Sequence, residues 1–330
     1  MVQRMRIGVT GGAGYIGGHV VRDLLDAGHD VTVIDNLSKA SRANIFEGES
    51  NYHFLEADLT TEIGLSQFLE SRPEVIFHFA AWKAAGESML QPGKYSANNL
   101  RGTFRLIEAM LEHDVKAMVF SSSAAVYGEP QYLPLDEKHP LGPINYYGFT
   151  KLVIEENLEW MSRLAGLRFA ALRYFNAAGY DVAGRVRGLE HDANNLIPIL
   201  MEVAVGLRPG IEVFGTDYDT PDGTCIRDYI HVSDLSAAHV LAMQHVLDHD
   251  QSLVVNLGSE SGLSVRAVLE EARRVTGHAI PHKDCPRRPG DPPRLVASAA
   301  KAREILGWKP TRSDLKTLLE STWSAYRNRP

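Results

Sequence analysis

The chain has 330 residues and a formal net charge of −7 at neutral pH, enough for one large domain or two smaller ones, with no basic field to draw nucleic acid or an anionic membrane. Hydrophobic residues make up 44% and charged residues 23%, the balance of an ordinary globular protein. No apolar run reaches the length of a membrane span, and the first strand begins so early that no signal peptide is expected.

The two cysteines, Cys225 and Cys285, stand far apart without ligand-type spacing, so a reducing cytoplasm is the expected location. His245 and His249 are four apart on a helical stretch. Neither a flanking glutamate nor a third ligand accompanies them, so no metal is expected.

An apolar β-like run over 7–10 leads into Thr10-Gly11-Gly12-Ala13-Gly14-Tyr15-Ile16-Gly17, and a helical pattern follows over 15–27. Glycines at 11, 14 and 17 leave this turn without side chains. A pyrophosphate can approach such a backbone and lie against the positive helix N-terminus. The triplet alone is a weak signal. Its place between strand and helix is what favours a dinucleotide site over an unliganded turn. A second strand over 31–34 ends in Asp35. A carboxylate there suits adenosine ribose hydroxyls and repels a 2′-phosphate, which favours NAD over NADP.

The alternation continues with strands over 52–57, 75–80, 117–121 and 169–174 and helices over 62–71, 95–112 and 146–164. Apolar strands separated by helices predict an α/β fold, a doubly wound parallel sheet covered on both faces. Ligands bind beyond the carboxyl ends of such strands. There the chain carries Asp58, Ala80-Ala81-Trp82-Lys83 and Ser121-Ser122-Ser123. After about residue 180 the alternation weakens, and proline and glycine become frequent. A Rossmann-type domain is expected over 1–180 and a smaller α/β region over 181–330, interleaved and without a clean linker.

Tyr147-Gly148-Phe149-Thr150-Lys151 puts a phenol and an ammonium four apart at the start of a helix, so both can face one ligand. A phenol is a poor base at neutral pH, but a nearby ammonium favours the phenolate. An oxidised nicotinamide, also positive, would lower its pKa further. The product is a general base for a hydroxyl proton leaving as hydride departs from the same carbon. Ser123 can hydrogen-bond the reacting oxygen, although serines at strand ends are often plain turn residues.

Together, Gly11-x-x-Gly14-x-x-Gly17, Ser121-Ser122-Ser123-Ala124-Ala125-Val126-Tyr127-Gly128 and Tyr147-x-x-x-Lys151 resemble the extended short-chain dehydrogenase/reductase family, most closely its UDP-glucose (UDP-galactose) 4-epimerases. The stretches Phe79 to Ser88, Arg173 to Gly179, Arg227 to Val232 and Arg287-Arg288-Pro289-Gly290-Asp291 carry the likeness further. The resemblance implies that Gly11, Gly14, Tyr15 and Ile16 line the NAD pyrophosphate, that Asp35 and Asn36 hold the adenosine ribose, and that Asp58 and Leu59 hold the adenine. It puts Phe79, Ala80, Lys83, Asn98, Ser121 and Tyr174 near the nicotinamide riboside. Tyr147 is the implied base, Ser123 its partner, and Lys151 the group that binds the nicotinamide ribose and tunes Tyr147. Asn176, Asn195 and Leu196 are implied contacts of the UDP-sugar, Arg227 and Arg288 of its diphosphate, and Asp291 of its uridine ribose. Leu295 stands where the family has a gate beside the sugar 2-substituent; a core residue of a short strand is the alternative. The resemblance also implies a homodimer formed through two helices of the first domain.

The expected activity is NAD-dependent 4-epimerisation of UDP-hexoses through a transient 4-keto sugar, with UDP-N-acetylhexosamines as further substrates. Competing readings are a neighbouring 4,6-dehydratase, decarboxylase or uronate 4-epimerase, or a protein that senses NAD without turnover. Dehydrating relatives carry an Asp-Glu pair where this chain has Ala124 and Ala125. A uronate epimerase must neutralise a carboxylate, for which Arg185 or Arg187 is the candidate.

Overall fold

A computed structural model describes residues 3–190, 193–288 and 290–328; Pro289 of the arginine–proline run lies outside them. The first half runs β1 (Arg6–Thr10), α1 (Tyr15–Asp26), β2 (Asp30–Asp35), β3 (Tyr52–Glu56), α2 (Glu62–Leu69) and β4 (Val75–His78). Two short helices follow, α3 (Ala85–Leu90) and α4 (Pro92–Tyr95), and a π-helical segment, Ser96–Arg101, runs into α5 (Gly102–Glu112). Then come β5 (Ala117–Ser123), α6 (Tyr146–Ala165), β6 (Arg168–Tyr174) and β7 (Asn176–Ala178). The rest of the chain supplies α7 (Leu196–Ala204), β8 (Ile211–Phe214), β9 (Ile226–His231), α8 (Val232–His249) and β10 (Leu253–Leu257). It ends in β11 (Gly262–Ser264), α9 (Val265–Thr276), β12 (His282–Cys285), β13 (Arg294–Leu295), α10 (Ala300–Leu306) and α11 (Leu315–Arg327).

Seven strands form one parallel sheet in the order β10-β6-β5-β4-β1-β2-β3. The expected α/β class is therefore observed. The central strands are apolar throughout because helices bury both faces. Val20, Val21 and Leu24 of α1 and Leu235, Ala242 and Met243 of α8 close one face. Phe68 of α2, Leu106 and Met110 of α5 and Ile154 and Leu158 of α6 close the other. A separate core joins α7, α9 and α11 to β8. Three elements beyond residue 180, α8, β10 and α10, pack on the large sheet's layer.

The order reverses at β1, which pairs with β2 on one side and β4 on the other. Such a switch point opens a crevice beyond the carboxyl ends of the strands. The continuous helix expected over 95–112 is instead broken by the π-helical turn at Ser96–Arg101. Asn98 and Asn99 are poor helix formers, and the wider turn lets the buried Asn99 side chain reach the loop after β4.

Candidate active site

The glycine turn fills the switch point. Gly11 takes φ +72°, and a Cβ there would stand 2.7 Å from the Ala80 amide nitrogen. A Cβ on Gly17 would stand 2.3 Å from the Gly11 carbonyl oxygen. Strand, turn and helix thus approach at backbone contact, which only glycine permits. Gly14 caps α1 without a side-chain hydrogen bond, and the first turn of the helix holds no acid, so its N-terminal end suits an anion. The Tyr15 phenol donates to the Gly179 carbonyl and Ile16 packs into the core below the sheet. The backbone of these two residues is therefore what remains for a pyrophosphate.

At the ends of β2 and β3, the Asp35 carboxylate accepts the Ala13 amide at 3.1 Å and the Leu37 amide at 2.9 Å, and burial pushes its carboxyl pKa up. The Asn36 amide donates to Asp58 at 3.0 Å, while Leu59 is buried against the core on the α2 side. All three polar residues lie at or beyond the strand ends, the side of such a sheet on which ligands bind. The tight backbone cradle, the uncapped helix end and Asp35 together fit NAD.

The second cluster sits across the sheet. Asn145 accepts the Gly148 amide at 2.8 Å and so starts α6. One turn of helix then puts Tyr147 and Lys151 on the same face. Lys151 is buried and donates to the Ser121 carbonyl at 2.7 Å, with its ammonium nitrogen 5.8 Å from the Tyr147 ring centroid. The Ser121 hydroxyl is hydrogen-bonded to the Tyr174 phenol, at the end of β6. Ser123 ends β5, accepts the Ala125 amide at 3.2 Å and hydrogen-bonds the Tyr147 phenol.

The electrostatics differ from the sequence expectation in one respect. Burial pushes the half-buried Tyr147 phenol up to about 12, and only the Ser123 hydrogen bond opposes this. Burial also pulls the Lys151 ammonium down to about 7, with the Glu155 carboxylate acting to hold it up. The ammonium does not depress the phenol because it is aimed at Ser121, and dehydration penalises both charged forms. A further positive charge close to Tyr147 is needed to make it a base.

Between the two clusters runs the loop after β4. The Phe79 amide donates to the Thr10 carbonyl at 3.0 Å, and Ala80 abuts Gly11. Asn98 donates to Asn99 at 3.1 Å; Asn99 in turn accepts the Trp82 amide and donates to the Trp82 carbonyl, each at 2.9 Å. Lys83 forms an ion pair with Glu190. Asn99 was not singled out from the sequence. Its signal is an asparagine pair inside a helical pattern, where such residues need a reason.

The remaining residues collect around β9. Asn176, on β7 alongside β9, donates to the Asp228 carbonyl at 2.9 Å. Arg227 of β9 stands in register with Leu295 of β13 and forms an ion pair with Asp291. Two residues expected to hold different parts of a nucleotide-sugar thus hold each other. Arg288 lies over the Phe214 ring at 3.8 Å. Asn195 and Leu196 begin α7, and the Asn195 side chain makes no capping bond. Leu295 is half-buried against the small cluster of Val126, Tyr127 and Leu135, directly after the serine run. Arg185 is occupied elsewhere, by Asp23, Asp26 and Asp181, and Arg187 donates to the Gly184 carbonyl at 3.1 Å.

Among the described residues, no helix is long and apolar enough to cross a membrane, and no three His, Cys, Asp or Glu side chains gather as metal ligands. His245 and His249 pack ring against ring at 4.6 Å on α8.

The UDP-glucose 4-epimerase of Halalkalibacterium halodurans is 46% identical over 99% of this chain and 97% of its own length. The crystal structure of UDP-glucose 4-epimerase from Brucella ovis in complex with NAD superposes with a TM-score of 0.93 at 41% identity, covering 98% of each chain. The UDP-Glc/GlcNAc 4-epimerase from Campylobacter jejuni superposes with a TM-score of 0.86 at 40% identity, covering 98% of this chain and 99% of its own. Residues 7–258 match the family model that spans the glycine turn, the serine run and the Tyr147–Lys151 helix, and the chain belongs to the NAD dependent epimerase/dehydratase family.

Proposed function

We propose that this protein is a UDP-hexose 4-epimerase that works with NAD held at the β1 switch point. The observation that carries the reading is Tyr147, hydrogen-bonded to Ser123 at the end of β5 with Lys151 buried one turn behind it. Bound NAD would accept the hydride from C4 and give it back on the return, and would supply the second positive charge. Tyr147 takes the proton of the sugar 4-hydroxyl, Ser123 steadies that oxygen, and Lys151 holds the ribose side of the site against Ser121. Arg227 and Arg288 grip the diphosphate of the 4-keto sugar while its hexose presents the opposite face. Guanidinium forks suit phosphate oxygens. A diphosphate drawing Arg227 away leaves Asp291 free for the uridine ribose. Tyr147 then returns the proton. Incubation with UDP-galactose, then with UDP-glucose, tests the reading: each should yield the other, and a dehydrated or decarboxylated product would overturn it. Ala124 and Ala125 offer no proton for dehydration, and the carboxylate partners of Arg185 weigh against a uronate substrate.

Net redox is zero over one cycle, so a cofactor that left midway would strand the keto sugar. NAD is therefore expected to co-purify, and assay of the supernatant of denatured, freshly purified protein checks this. Negligible NAD, with activity wholly dependent on added NAD, is the contrary result.

Leu295 supports tolerance of larger sugars. It borders the cluster that follows Ser123, and leucine is smaller than tyrosine. UDP-N-acetylglucosamine and UDP-N-acetylgalactosamine are expected to turn over measurably, and Leu295→Tyr to suppress them selectively, at roughly 1–3 kcal/mol of discrimination. A ratio of specificity constants unmoved by Leu295→Tyr would return Leu295 to the role of a strand core residue.

We also propose a homodimer through α5 and α6. Leu100, Phe104, Ile107, Leu111 and Met161 line a groove between these helices, and Trp160 and Leu164 of α6 are 56% and 74% exposed. Exposed apolar surface of this kind marks an association site. Sedimentation equilibrium showing only monomer would remove the assignment. A cytoplasmic setting accords with the two free cysteines.

A further inference from the structure

Residues 179–190 run from the end of β7 past the glycine turn, and their contacts stand on both sides of the crevice. On the α1 side, the Gly179 carbonyl accepts the Tyr15 phenol at 2.5 Å. The Asp181 amide donates to His19 Nε2 at 3.0 Å, which leaves the His19 Nδ1 proton for the Tyr15 carbonyl at 2.8 Å. Arg185 pairs with Asp23 and Asp26 of α1. The Gly188 amide donates at 2.7 Å to Asn44, whose own amide reaches the Ala13 carbonyl of the glycine turn at 3.1 Å. Of these contacts, the ion pair of Glu190 with Lys83 is the one that reaches the far wall, the loop after β4. That loop is itself held firmly, because Asn99 pins Trp82 at both its amide and its carbonyl.

We propose that residues 179–190 are a strap across the dinucleotide crevice, and that Glu190, through Lys83, is the latch that keeps the cofactor from exchanging between turnovers. The inference rests on the NAD site proposed above and adds a residue to it. Glu190 acts as a positioning residue, through Lys83. The pair is more than a surface ornament because the Glu190 side chain is only 10% exposed, against 54% for Lys83. A carboxylate withdrawn that far from water needs its cation, so releasing Lys83 would also release the strap. Both neighbours of the glycine turn, Asn44 and Lys83, are then held by one segment, and a dinucleotide lying along the turn leaves only when that segment lifts. Opening of such segments commonly governs release rates.

The test is exchange of bound NAD. Holoenzyme is mixed with a large excess of isotopically labelled NAD, and the label retained on the protein is followed with time, at low and at high salt. Glu190→Gln keeps the shape of the side chain and removes its charge. It is expected to speed exchange about tenfold at low salt, and the gap from wild type should narrow at high salt, where the half-exposed ammonium is partly screened. A purely structural role for Glu190 would not produce that salt dependence. Glu190→Asp, which keeps the charge but draws it back, should also exchange faster, and it carries the test if Glu190→Gln does not fold. Exchange at the wild-type rate in these variants overturns the latch. Wild-type protein that holds no NAD at all overturns instead the cofactor site on which the latch depends.

Discussion

Tyr147→Phe is expected to keep its fold and its NAD and to lose about 10²–10⁴-fold in turnover, the usual share of a general acid–base group. The ring stays packed, because the substitution removes one oxygen, whereas the proposed proton acceptor and its hydrogen bond to Ser123 disappear. Burial alone holds the phenol up to about 12, so wild-type turnover should rise with pH as the phenol, biased by the bound positive cofactor, loses its proton. In Tyr147→Phe that limb should be absent. Near-full turnover in the variant, or an unchanged pH profile, would show that another group is the base. The measurements are the rate of product formation under saturating UDP-galactose across pH, with NAD content determined on the same sample.

Arg173→Met should lower stability by about 3–5 kcal/mol, because it leaves one member of a buried ion pair without the other. The Arg173 and Glu155 side chains are 6% and 5% exposed. Arg173 donates to Glu155 through Nε and Nη2 and, at 3.0 Å, to the Tyr127 phenol, which itself donates to Asn256 at 2.7 Å. Ser122 completes the surroundings of Glu155. One buried network therefore ties α6, which carries Tyr147 and Lys151, to β5, β6 and β10. Replacing both charges, in Arg173→Met with Glu155→Met, should recover a large part of the loss, since apolar residues of similar size need no counter-charge. Chemical denaturation of wild type, single and double variants decides the matter. A double variant no more stable than the single would mean that packing, and not the uncompensated carboxylate, is responsible.

Spacing was sufficient wherever the partners lie within one or two turns of chain. Gly11, Gly14 and Gly17 sit on a strand-to-helix turn because strand and helix signals flank them, and Tyr147 and Lys151 share a face because four residues make roughly one turn of helix. The parallel sheet followed from apolar strands alternating with helices, and Asp35 from its place at a strand end. The end of β4 and the π-helical break before α5 were not legible. Both depend on what lies opposite: β4 ends where Phe79 turns toward Thr10, and the break exists so that Asn99 can hold Trp82.

Pairings between distant residues were decided in three dimensions. Lys83 and Glu190 are 107 residues apart, and Arg227 and Asp291 are 64 apart. Every one of the four is a plain charged residue in the sequence, with many possible partners of opposite sign. Which pair forms depends on which charges the folded backbone brings within reach, and on how far burial raises the penalty for leaving one alone. The same competition sent the Lys151 ammonium to the Ser121 carbonyl and not to the phenol four residues before it. Periodicity carries information about faces and turns because it is local. Choice of partner and protonation state are properties of the packed interior, and they appear only when the chain has closed around them.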